Sequence, residues 1–136
     1  MSPVRVARFH LAFGILSFLL GFALVLGGPT RASAYCYNVI TIQGGVYVWG
    51  TVFMVLGVGL IVSVNLPEMM SWLLLAGVVA YTVLSLAFLA AAITHPTANY
   101  TGQVAYGWIA AMHWCAFTKT RRAIGRSHRL PRKRDK

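Results

Sequence analysis

The sequence predicts an all-α, polytopic integral membrane protein, with about four transmembrane helices in a bundle and both chain ends in the cytoplasm. Three observations carry this expectation. Of 136 residues, 58% are hydrophobic and 10% charged, against about 25% charged in soluble domains, so the polar surface of a water-soluble globule is missing. The apolar residues gather into four long runs separated by Gly, Pro and Asn. Positive charge is confined to the flanks: no Lys or Arg occurs between Ala32 and Thr118.

The first run, 9–26, holds His10 and no charge over 18 residues, just enough to cross about 30 Å of hydrocarbon at about 1.5 Å per residue. Gly27, Gly28 and Pro29 end it. The second, 46–64, has no ionisable group except the Tyr47 phenol, and Asn65, Leu66, Pro67 and Glu68 close it with turn chemistry. The third, 72–93, is the cleanest and stops at Thr94-His95-Pro96. The fourth, 102–117, is the shortest and carries His113; Tyr100, Thr101 and the stem of Lys119 extend it into the headgroup layer by snorkelling. An interfacial or re-entrant helix is the alternative for this run. In hydrocarbon every backbone polar group needs a partner, which leaves helices or a closed barrel. Barrel strands are short and alternating, so continuous apolar runs of this length specify helices.

Orientation follows from the Lys and Arg bias near the span ends. Arg5 and Arg8 precede the first helix. Lys119, Arg121, Arg122, Arg126, Arg129, Arg132, Lys133 and Arg134 follow the last. An even number of crossings puts both clusters on the cytoplasmic side, with outer loops at 27–45 and 94–101 and a cytoplasmic turn at 65–71. Arg31 alone opposes this. Trp49, Trp72, Trp108 and Trp114, with Tyr47, Tyr100 and Tyr106, fall near run ends, where amphipathic rings favour the headgroup level. The front also fits a secretory signal, with Ala32-Ser33-Ala34 as its cleavage pattern. An apolar stretch of eighteen residues, longer than the usual 7–15, favours a retained anchor. The organisation expected is therefore a transmembrane domain over 1–118 and a basic cytoplasmic tail over 119–136.

Little in the sequence supports enzymatic chemistry. Glu68 and Asp135 are the only carboxylates, one in a turn and one in the tail, so paired-carboxylate catalysis and a membrane-embedded acidic relay both lack residues. Phosphate-loop, zinc-helix and clustered Cys/His motifs do not occur. The expectation is a non-enzymatic protein without cofactor or metal. Cys36 and Cys115 fall near opposite faces, too far apart for a disulfide within one chain; Cys115 reads as a small apolar filler and Cys36 as able to pair with a neighbouring chain. His10 and His113 both fall near the cytoplasmic face, where two helices could present them to one haem or metal; the plainer reading is interfacial histidines satisfied by water, a carbonyl or a hydroxyl. His95 reads as a turn residue. Gly14 and Gly21, and Gly50 and Gly57, are spaced seven apart, and glycines on one helical face let backbones approach closely. Asn99-Tyr100-Thr101 matches the N-glycosylation sequon. The tail suits anionic lipid headgroups, and it lacks the aromatics that would stack nucleic-acid bases.

The layout, together with the segment His95-Pro96-Thr97-Ala98-Asn99-Tyr100-Thr101-Gly102-Gln103-Val104-Ala105-Tyr106-Gly107, resembles small multi-span membrane proteins of actinobacterial phages that are called holins or holin-like. The resemblance implies a bacterial inner-membrane protein that accumulates, oligomerises through its helices and opens lesions for an endolysin. Two other readings stand beside it: an adaptor or superinfection-exclusion factor that binds another membrane protein, and a small haem or transport subunit using His10 and His113.

Overall fold

The computed structural model describes residues 3–31, 45–94 and 101–129, with side chains over 10–28, 45–94 and 101–126. Among them the chain is helical, with no strand. Helix α1 (Pro3–Arg31) is interrupted at Gly28, whose φ of 55° and ψ of −169° lie outside the helical region. Glycine adopts this conformation without the Cβ penalty other residues meet, so the helix kinks there and resumes for a last turn. Helix α2 (Gly45–Val62) runs into a single 3₁₀ turn, Ser63–Asn65. Helix α3 (Pro67–Thr94) follows after one residue, and α4 is Thr101–Arg129.

Three segments are long and apolar enough to cross a membrane: His10–Gly28, Gly45–Asn65 and Pro67–Thr94. Helix α4 is as long as α1, but its last third carries Lys119, Arg121, Arg122 and Arg126, all exposed.

Two boundaries differ from the sequence expectation. The turn expected over 65–71 shrinks to Leu66, and α3 starts five residues earlier than the apolar run. Pro67 fits the first helical position because its missing N–H would have no helical partner there, and Glu68 in the first turn complements the helix dipole. The join is pinned by Leu66 N–H donating to Ser63 O at 2.8 Å and Met70 N–H to Leu66 O at 2.9 Å. At the other end, α4 does not stop at 117 but carries the basic segment on as helix to Arg129. Residues 130–136, with Arg132, Lys133 and Arg134, lie outside the described residues. So do 32–44, with the Ala32-Ser33-Ala34 pattern and Cys36, and 95–100, with His95, Asn99 and Tyr100.

The four helices form two antiparallel hairpins. In the first, α1 lies backbone to backbone on α2: a Cβ at Gly57 would sit 2.6 Å from Gly14 O, and one at Gly50 2.9 Å from Gly21 O. In the second, α3 and α4 meet through Phe88 beside Gly102 and through Ser85 Oγ, which donates to Gln103 O at 2.9 Å. Contact between α2 and α3 is sparse by comparison. Lipid tails are as apolar as leucine, so helices associate in a bilayer by close packing and hydrogen bonds rather than by hydrophobic burial. The first hairpin shows the close-packing solution. Outward faces carry large apolar side chains on every helix, among them Leu19, Val55, Val79 and Val104.

Candidate functional site

Where the two hairpins meet, the core changes character. Its centre is Tyr81 on α3, fully buried among rings: Phe53 at 5.0 Å, His113 at 5.1 Å and Tyr106 at 6.4 Å between centroids. Its hydroxyl shares a 2.9 Å hydrogen bond with Ser17 Oγ of α1, itself fully buried. This is the polar tie between the hairpins. A phenol and a hydroxyl in the middle of apolar runs find in each other the partner that low-dielectric surroundings require, one donating and the other accepting.

One turn closer to the basic end lies His113 of α4, also fully buried. Its ring packs on Phe13 of α1, with centroids 4.4 Å apart, and its edge fits against Gly77 of α3, where a Cβ would come 2.5 Å from Cδ2 and 2.9 Å from Nε2. Only glycine at 77 leaves that space. His113 Nδ1 lies 2.9 Å from Ile109 O, and because a carbonyl only accepts, Nδ1 carries the proton of this bond. In the neutral ring Nε2 is then a bare lone pair, buried and without a partner. His10 of α1 is 1% exposed and stands one turn before Phe13, on which His113 packs, and neither of its ring nitrogens has a partner. Three buried hydroxyls complete the set, each bonded to a nearby backbone carbonyl: Ser63 to Leu60 O, Ser71 to Glu68 O and Thr120 to Ala116 O.

Spacing explains the arrangement. His10 and Ser17 are seven apart on α1, and His113 and Thr120 seven apart on α4, so each pair shares one helical face. Gly14 and Gly21 lie on the same stripe of α1, about 40° round from His10 and Ser17, and fit against α2, where Gly50 and Gly57 receive them. One stripe of α1 thus serves both contacts, its glycine edge turned to α2 and its polar edge to the other hairpin. A buried nitrogen without a partner costs roughly 1–3 kcal/mol, so the three imidazole nitrogens oppose closure of the seam that the rings and the Ser17–Tyr81 bond hold shut.

Metal and haem readings fare differently from the location of the histidines. The structure does bring His10 and His113 into one site. Among the described residues, however, no three of His, Cys, Asp or Glu gather as a metal would need. A porphyrin needs an open face at its axial nitrogen, and here Phe13, Gly77 and Tyr81 close around the His113 ring. Cys115 is not a filler within the bundle but stands exposed on α4, because the faces of α4 turned inward are those of Ala110, His113 and Thr120. Tyr106 faces inward, stacked with Tyr81 and 5.2 Å from Phe88, rather than standing at the headgroup level. Lys119, Arg121, Arg122 and Arg126 project from the last turns of α4. Arg5, Arg8 and Arg129 lie on helical backbone, their side chains outside the described set. Ser17, Tyr81 and Gly77 escaped the sequence reading. The signal for the first two was available: a hydroxyl near the middle of an uncharged span demands a partner. Gly77 carried no signal of its own, since its use depends on a ring from another helix.

No protein family, curated protein or solved structure matches this chain.

Proposed function

We propose that the chain is a holin-like membrane protein of the bacterial cytoplasmic membrane, non-enzymatic, which opens lesions by reassembly of its two hairpins among several copies. The observation that carries this reading is the confinement of the bundle's buried histidines and the Ser17–Tyr81 pair to the seam between hairpins. The outward faces are apolar and suit lipid. A lesion needs a wettable wall, and separation of the hairpins would turn His10, Ser17, Tyr81 and His113 from core into lining. Water would then satisfy the imidazole nitrogens, returning the cost they impose on the closed form.

In this reading α4 is a fourth crossing. It runs antiparallel along α3 from Gly102 to beyond His113, and α3 has span length and composition. The up-down-up-down order then gathers the start of α1 and the end of α4 at one end of the bundle, and the positive-inside rule assigns that end to the cytoplasm. The basic residues there hold anionic headgroups at about 1 kcal/mol each.

Induced expression in a bacterium carrying a membrane-potential dye tests the proposal. Abrupt depolarisation at a reproducible time, with release of a co-expressed endolysin, is the expected result. Sustained accumulation in the membrane with intact potential would refute it and favour an adaptor or immunity role.

A further inference from the structure

Helix α4 is as long as α1 but is not among the three segments apolar enough to cross on composition alone. Of the 18 residues 101–118, three are Leu, Ile, Val or Phe, namely Val104, Ile109 and Phe117; of the 18 residues 72–89 in α3, ten are. Residues of this kind are what favour a helix in hydrocarbon. Gln103 and His113 oppose it. A crossing by α4 therefore needs support from outside the helix.

The interface with α3 has the form such support requires. Each helix offers the other a glycine notch and fills the notch it is offered with a ring. His113 of α4 lies against Gly77 of α3, and Phe88 of α3 lies against Gly102 of α4, so closely that a Cβ at either glycine would overlap the ring. The spacing is the same on both helices: 88 − 77 = 11 on α3 and 113 − 102 = 11 on α4. Eleven residues are close to three whole turns, so both contacts fall on one face of each helix, roughly 16–17 Å apart. Between them Tyr106 packs on Tyr81 and Phe88, and Ser85 Oγ donates to Gln103 O at 2.9 Å. Val104, Trp108, Met112 and Trp114 are left to face outward.

We infer that α4 is a dependent crossing, held across the bilayer by the paired notches at Gly77 and Gly102 rather than by its own apolarity. This rests on the reading of α4 as a fourth span. Released from α3, the helix settles on the cytoplasmic headgroup layer, where Lys119, Arg121, Arg122 and Arg126 already hold its end and where Trp108 and Trp114 are at home. Both notches lie within the second hairpin, so parting of the two hairpins leaves α4 in place.

Thr101→Cys, on a background of Cys36→Ser and Cys115→Ala, reports where α4 begins; Thr101 is exposed. Intact cells are treated with a membrane-impermeant maleimide soon after induction, and again after permeabilisation. The otherwise unaltered chain is expected to label from outside. Adding Gly77→Leu, which fills the seat of the His113 ring, should lower outside labelling at least fivefold while labelling after permeabilisation persists. Two rescued variants separate this from misfolding. Gly77→Leu with His113→Ala gives the volume back, and Gly77→Leu with Ala105→Leu and Ala111→Leu, both exposed positions, makes α4 apolar enough to cross unaided. Each should regain at least half of the outside labelling. Full outside labelling with Gly77→Leu alone, or no recovery in either rescued variant, would overturn the dependence and leave the fourth crossing standing. No outside labelling of Thr101→Cys itself would overturn the crossing, and the dependence with it.

Discussion

Substitution Gly57→Ala puts the packing argument at greatest risk. A Cβ at 57 would lie 2.5 Å from Phe18 N, 2.6 Å from Gly14 O and 2.8 Å from Phe18 Cα. Ordinary contact begins at 3.4 Å, so α1 must withdraw by roughly 0.9 Å, and all three obstacles are backbone, which cannot turn aside as a side chain can. A gap of 0.5–1 Å forfeits about a quarter to a half of each dispersion contact along the interface, and overpacking of this kind costs about 1–3 kcal/mol. Alanine recovers up to about 1 kcal/mol through its better helix propensity. Three backbone obstacles place this case in the upper part of the overpacking range, about 2–3 kcal/mol, so the net expectation is a loss of about 1–2 kcal/mol, roughly a five- to thirtyfold fall in the folded ratio. Gly59→Ala is the matched control: its Cβ meets only the Leu73 methyls at 3.2 Å, and leucine can rotate. Unfolding in mixed micelles, followed by tryptophan fluorescence against the mole fraction of dodecyl sulfate, compares the two. Gly57→Ala should unfold at clearly lower dodecyl sulfate and Gly59→Ala close to the parent. If Gly57→Ala matches or exceeds the parent, the backbone-to-backbone account of the first hairpin is wrong.

Other perturbations follow from the seam. Ser17→Ala and Tyr81→Phe should each destabilise, while the double variant loses less than the sum, with a coupling of about 0.6–2 kcal/mol in a double-mutant cycle; strict additivity would remove the bond from the stability argument. His113→Phe keeps a ring against Phe13 and Tyr81 while removing a lone pair without a partner, so the closed bundle should unfold no more easily than the parent. In the expression assay the same variant should depolarise later, and an earlier onset would contradict the seam's proposed role. Replacing Lys119, Arg121, Arg122 and Arg126 together with Gln should raise the fraction of chains whose tail reaches the outer side, read by protease protection of an epitope at residue 136; unchanged protection would deny these residues their part in topology.

How much of this was legible depends on where the cause of each feature lies. The helices were, because a run such as 72–93 leaves no alternative in lipid. Their limits were less so: Pro67 and Glu68 are equally good turn residues and helix starters, and what decides is the neighbouring carbonyl of Ser63, which no local pattern displays. The heptad glycines could be found by spacing alone, since their use requires only that another helix come close. His10 and His113 stood out as ionisable groups in apolar runs, but whether they meet metal, water or one another depends on Phe13, Gly77 and Tyr81 arriving from other elements. Tyr81 itself looks like one more aromatic in a span until Ser17 is placed opposite.

The contrast between the two helix interfaces suggests which part of the molecule can move. Glycine contact between α1 and α2 leaves no volume for a polar side chain and sets backbone against backbone at Gly14–Gly57 and Gly21–Gly50, so that hairpin resists separation as a unit. The seam is lined instead by rings and small hydroxyls, which repack with smaller penalties than backbone does. A single residue, Leu66, and a 3₁₀ turn join the hairpins at the end that carries buried Ser63 and Ser71. So short a tether keeps α2 and α3 of one chain neighbours in any rearrangement, and hairpins can part most widely at the apolar end, farthest from it. The polar half then acts as the hinge side, already furnished with groups that water can satisfy. The apolar half is the part whose separation costs most until another copy's helices fill it. A lesion built this way would need several chains, each contributing its tethered pair, and its threshold would be set by that apolar half rather than by the histidines.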